Sequence, residues 1–158
     1  MVTPDSVVEF LHNHEAMIGL SPLVTGSELE ASEDDTAVYL VHEDIAVLPM
    51  GLWSQGISFT AHFKNQKRGL WTKVMAPLGF VSEALYEVLP AEDGPTDNEA
   101  HSDSENAGSP WILKETITSS CNGFFKPVVD ANLVPTRRTM ARKLMAKVCE
   151  EVIGTGVS

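Results

Sequence analysis

Two acids stand out because their neighbours on the same face of an alternating stretch are apolar. Glu115 lies in Trp111–Cys121 with Trp111, Leu113 and Ile117 on its side. A carboxyl set among such groups loses hydration, so its pKa rises and it can give or take a proton in catalysis. The opposite parity turns Ile112 and the threonines inward and leaves Glu115 in solvent. Glu43 shares its face with Tyr39, Val41 and Ile45 and has the same prospect. Tyr39 and Tyr86 can donate hydrogen bonds to a substrate carbonyl and polarise it as charge builds. Asn122 and Lys126 follow the last alternating stretch, where either can orient a carboxylate or carbonyl, or simply be solvated.

Aromatic residues supply the walls such chemistry needs. Strand parity sets Phe59 and Phe63 beside Tyr39, Tyr86 and Trp111, facing whatever covers the sheet; they either line an apolar ligand or form plain core. Trp53 lies in a connection. Trp71 shares a face with Lys73 and Met75, whereas Leu70, Thr72 and Val74 make the alternative inner face. Met140 and Leu144 are the helical residues expected to close the ligand from the other side. No Gly-rich phosphate loop, GxSxG, HExxH or zinc spacing occurs. His12 and His14 sit two apart on a helical stretch and point in different directions, which suits helix-end histidines better than metal ligands. No metal or organic cofactor is expected.

The elements that must hold these residues are read from periodicity. Thr3 caps a helix entered by Pro4, and Val7, Val8, Leu11 and Ile18 continue it to about Ile18. Period-two alternation predicts strands over Leu23–Glu30, Ala37–Leu48, Gly56–Lys64, Leu70–Met75, Phe80–Leu89 and Trp111–Cys121, with Ser32–Asp35 as an acidic turn. Ala91–Pro110 holds six acids, no Lys or Arg and almost nothing apolar, and reads as a disordered acidic loop within one domain spanning residues 1–158. Val128–Ile153 carries Val134, Met140, Leu144, Met145, Val148 and Val152 at helical spacing, with Arg137, Arg138, Arg142, Lys143 and Lys147 opposite. It predicts one long C-terminal helix.

Composition narrows the partners. A net charge of −11 over 158 residues argues against nucleic acid, since phosphate binding needs surplus Lys and Arg. No run approaches the roughly 18 apolar residues of a membrane span. The N-terminus lacks the charged and apolar pattern of a signal peptide. Cys121 and Cys149 make neither a metal cluster nor a disulfide framework and read as reduced thiols of a cytoplasmic protein.

The order of a short helix, antiparallel strands and a closing helix resembles the START and Bet v 1-like helix-grip superfamily, which includes polyketide cyclases and lipid carriers. The likeness is carried by LHNHEAMIGLSPLV near the N-terminus and by WILKETITSSCNGFFKPVVDANLVPTRRTMARKLMAKVCEEV at the other end. It is similar in flavour to small fungal members linked to secondary metabolism. The resemblance implies an α+β fold in which a curved antiparallel sheet grips one long C-terminal helix, with a ligand cavity between them. It further implies a cofactor-independent cyclase or isomerase acting on an apolar polyketide or terpenoid, including a [4+2] cyclisation of the Diels–Alder kind. A non-catalytic carrier of a lipid or other small hydrophobic metabolite is the alternative, and an interaction module using the basic helix face is a third. Only Met1 and Val2 precede Thr3, too few for the superfamily's usual first strand. A homodimer is therefore expected, its second copy covering an open sheet edge.

Overall fold

The computed structural model describes residues 2–46, 54–91, 110–123, 126 and 138–150. Six strands form one antiparallel sheet in chain order: β1 (Val24–Glu33), β2 (Thr36–Ala46), β3 (Ser54–Gln66), β4 (Gly69–Ala76), β5 (Phe80–Pro90) and β6 (Trp111–Ser120). They lie where the alternation predicts them, with ends that differ by up to three residues; Ser32 and Glu33, expected in the acidic turn, belong to β1. Antiparallel neighbours can be joined by tight turns; Lys67 and Arg68 link β3 to β4 and, equally short, Asp34 and Asp35 link β1 to β2. Both aspartates have positive φ (45° and 64°), and Glu33 pairs with Thr36 across them. Positive φ at both central positions is the type I′ geometry whose twist matches paired strands. Gly69 serves a different need. A Cβ there would collide with the Tyr86 carbonyl oxygen, so the close approach of β4 to β5 requires glycine.

The predicted N-terminal helix is two helices, α1 (Pro4–His12) and α2 (His14–Ile18). Thr3 caps α1 in a reciprocal box with Ser6. Asn13 leaves helical geometry (φ −84°, ψ 86°), and its side chain caps α2 at Ala16. A further helix, α3, covers 138–150.

Parity sorts the sheet into two faces. The inner one carries Tyr39, Val41, Ala61, Phe63, Leu70, Ala84, Tyr86, Val88 and Trp111. All three helices sink into it: α1 through Val7, Phe10 and Leu11, α2 through Met17 and Ile18, and α3 through Leu144 and Val148, the whole forming one buried cluster. Burying side chains of this size removes apolar area worth about 1.5–3 kcal/mol each, the main force holding helices to sheet.

The expected helix-grip is corrected here. The class is loosely α+β, but the described C-terminal helix is short, and it shares the inner face with α1 and α2. Its apolar stripe of Met140, Leu144, Met145 and Val148 spans barely more than two turns, too little to fill the face alone. The interior expected to be a cavity holds the packed side chains of that cluster. The remainder of the predicted helix, 128–137 and 151–153, lies outside the described residues, as do 92–109 of the acidic loop. The ends of that loop meet, with the Ala91 N–H donating to the Pro110 carbonyl at 3.1 Å.

Candidate functional site

β2 brings Tyr39 and Glu43 to the inner face with Val41 between them. Glu43 stands opposite Ile57 on β3 and Val24 on β1, so apolar side chains flank it on both sides. The turn from α2 into β1 passes over it, and the Ser21 hydroxyl donates to Oε1 at 2.8 Å. A neighbouring backbone bond from Asp44 N–H to the Leu23 carbonyl, 2.9 Å, fixes that turn against β2. Burial pushes the Glu43 carboxyl above its ordinary pKa, and the Ser21 hydrogen bond opposes the shift without cancelling it. Glu43 therefore keeps its proton to a higher pH than a surface glutamate does.

Tyr39 is 8% exposed. Burial raises its pKa first, and the negative charge of Glu15 adds to the effect, so the phenol stays a neutral donor well beyond neutral pH. Its ring meets Phe63 edge-on at 5.6 Å and His14 edge-on at 5.9 Å, while His14 stacks on Phe63 at 5.0 Å. His14 Nε2 lies 2.8 Å from Asn65 Oδ1. His12 Nε2 lies 3.1 Å from the Gln66 carbonyl and 3.0 Å from that of Gly69. Both partners are acceptors, so this nitrogen carries the proton. The two histidines thus reach the same β3–β4 hairpin. The break at Asn13 removes the helical spacing that would have sent them apart.

Tyr86 and Glu115 form a second pair, directly opposite each other on β5 and β6. Tyr86 is buried, but Glu115 is exposed. The desolvated setting expected for Glu115 is corrected: the parity is right, yet β6 is an edge strand and its inner side opens toward solvent past Leu113. Three strand spacings, roughly 14 Å, separate this pair from β2, so the four expected catalytic residues make two sites rather than one.

Among the residues expected to bind substrate, Phe63, Trp111 and Leu144 are core, at 6%, 6% and 3% exposure. Phe59 and Met140 are half-buried at its margin. Trp71 points to the outer face, in register with Lys64 and Leu85, and so is removed from the inner site. Asn122 and Lys126 are exposed beyond β6. Trp53 lies outside the described residues. The inner face is incompletely covered along one strip: Phe59, Thr72 and Val74 are half-buried and Ile117 is 38% exposed. Phe59 stands two residues along β3 from Ile57, the partner of Glu43, and so on the same face. A half-covered apolar strip ending at a desolvated carboxyl is an arrangement for a small apolar molecule with one polar group. Sequence reasoning did not find Ser21. Its contact with Glu43 joins residues 22 apart through a turn that no local pattern foretells.

Among the described residues no cluster of three or more His, Cys, Asp or Glu is placed to hold a metal ion. Nor is any helix among them long and apolar enough to cross a membrane.

Residues 1–150 match the model of a family described as a domain of unknown function, DUF7053. No curated protein matches the sequence. Among solved structures, the crystal structure of TTHA0849 from Thermus thermophilus is similar, with a TM-score of 0.60 over 95% of this chain and 92% of that one, at 13% identity. At that identity the likeness concerns the fold alone.

Proposed function

The chain belongs to the DUF7053 family, whose description carries no activity, and we propose from its own residues that it binds a small apolar metabolite and isomerises or cyclises it without a cofactor. The observation that carries this reading is Glu43, a carboxyl whose pKa is raised by burial, anchored through one oxygen by Ser21 and set at the end of the half-covered strip of Phe59 and Val74. A protonated carboxyl there can protonate a carbonyl or alkene of a bound terpenoid or polyketide, and its conjugate base can remove a proton elsewhere. The strip holds the substrate in one conformer, which lowers the entropic part of the barrier. A [4+2] closure would use the same carboxyl as a hydrogen-bond donor. Kinship with the START and Bet v 1-like superfamily, a cytoplasmic location and a homodimer belong to the same reading.

A carrier is the second reading, favoured by Ile117, whose exposed side chain extends the apolar strip away from Glu43. One experiment separates the two. The wild-type chain and Glu43→Gln are purified from the native host, and small molecules released from each are compared by mass and chromatographic retention. Because an isomerisation conserves mass, an isomerase gives the same mass at two retention times, product on the wild type and precursor on the variant. A carrier gives one compound on both. If neither chain carries an apolar molecule, both readings fail.

A further inference from the structure

We propose that the outer face of the sheet is the contact surface of a homodimer, two copies packing sheet to sheet. This rests on the homodimer named above but not on any ligand, and its failure would leave the Glu43 reading untouched. The outer face carries Leu40, Trp71, Met75, Val81, Leu85 and Ile112, on β2 and β4–β6. None belongs to the buried cluster or its margin, and all three described helices bury their apolar residues on the opposite side. Met75 is 41% exposed and the others are half-buried. Within this face His62 Nε2 is shut off from solvent and has no hydrogen-bond partner among the described residues. The row of His62, Lys73 and Glu83 runs between Met75 and Val81 on one side and Trp71 and Leu85 on the other, the mix of apolar and charged groups found at interfaces between soluble chains.

Charge identifies the partner as a second copy. The chain carries a net −11, which would keep copies apart across most surfaces. The outer face of β3–β6 departs from that balance, holding Lys64, Lys73 and Lys114 against Glu83 and Glu87. Lys73 and Glu83 pair across β4 and β5 at 2.8 Å. Because both signs lie on the one face, a two-fold axis through this region can set lysines of one copy against glutamates of the other, so the patch can be complementary to itself. Its size is adequate. Five strands about 4.8 Å apart and some eight residues long at about 3.3 Å give roughly 600 Å² per copy, the lower end of stable interfaces. The sheet edge expected from the sequence to need a second copy is the poorer surface. β1 is interrupted by register shifts at Val24/Gly26 and Leu29/Ala31 and bears Glu28, Glu30 and Glu33, features that discourage edge pairing.

The test is solution mass by light scattering at high micromolar concentration. The wild type is expected at twice the 17.2 kDa chain mass. Met75→Glu, at a site open enough to leave folding intact, is expected to halve that mass with an unchanged circular dichroism spectrum. Leu29→Glu, on the β1 edge, is expected to leave the dimer as it is. A monomeric wild type overturns the proposal. So does a dimer that survives Met75→Glu, or one that is lost only with Leu29→Glu.

Discussion

At the scale of single residues, Glu43 is the group whose environment most changes its chemistry. Its folded-state pKa lies above the unfolded value because burial disfavours the charged form. The folded chain therefore holds this proton more tightly than the unfolded chain does. The resulting contribution to stability is complete below the unfolded glutamate pKa and is lost as pH climbs through the raised folded value. Glu43→Gln keeps an acceptor for Ser21 and has no charge to bury. The variant is expected to melt higher than the wild type at neutral pH, the gap closing as pH falls below the ordinary glutamate range. Thermal melts across that interval check it, and a gap independent of pH would assign the effect to packing. The parity of Glu43 was legible from Tyr39 and Val41 alone. Its desolvation was expected from the apolar neighbours on its own face, but the Ser21 hydroxyl and the turn over it were not, because they arrive from another part of the chain.

At the scale of elements, the β1–β2 hairpin turns on two aspartates where glycine is the preferred second residue. Each left-handed non-glycine residue costs on the order of 1 kcal/mol, and Asp34 and Asp35 also set like charges side by side. Asp35→Gly creates the Asp-Gly pair that this turn favours. It is expected to stabilise the fold by about 0.5–1 kcal/mol, seen as a higher urea midpoint with an unchanged slope. The strands themselves were readable because period-two alternation, as in Ile57, Phe59, Ala61 and Phe63, reports directly which side is buried. The helices were read less well for two separate reasons. Asn13 fits a helical pattern by spacing yet breaks it by capping α2, and this redirects His12 and His14 to one hairpin. The one-sided stripe of Met140, Leu144 and Val148 says that α3 lies on an apolar surface, but not that α1 and α2 already occupy most of it.

At the scale of the whole molecule, the inner face is held from three directions, and α3 contributes its two most buried side chains, Leu144 at 3% and Val148 at 1% exposure. Leu144→Ala should cost about 2–5 kcal/mol, the lost transfer energy plus the void left in a cluster with little freedom to relax. If α3 is integral to the cluster, chemical denaturation of the variant will remain a single transition that coincides by fluorescence and circular dichroism. A separate early transition would show α3 to be an appendage. The division of the sheet into a side that the described helices cover and a side that they leave also sets apart the two roles proposed here. A substrate approaches along Phe59 and Val74, and a second copy approaches through Met75 and Trp71. Neither needs the other to leave.

Every strand of the sheet pairs with the one made just before it. During synthesis, β2 can zip onto β1 as soon as both clear the ribosome, and each later strand finds its template already laid down, with no distant segment to wait for. The greasy side is not sealed in that order, since Leu144 and Val148 are made after all six strands. A nascent chain thus passes through a stage with its sheet assembled and one helix missing from the underside. At that stage the apolar face lies open more widely than in the folded chain.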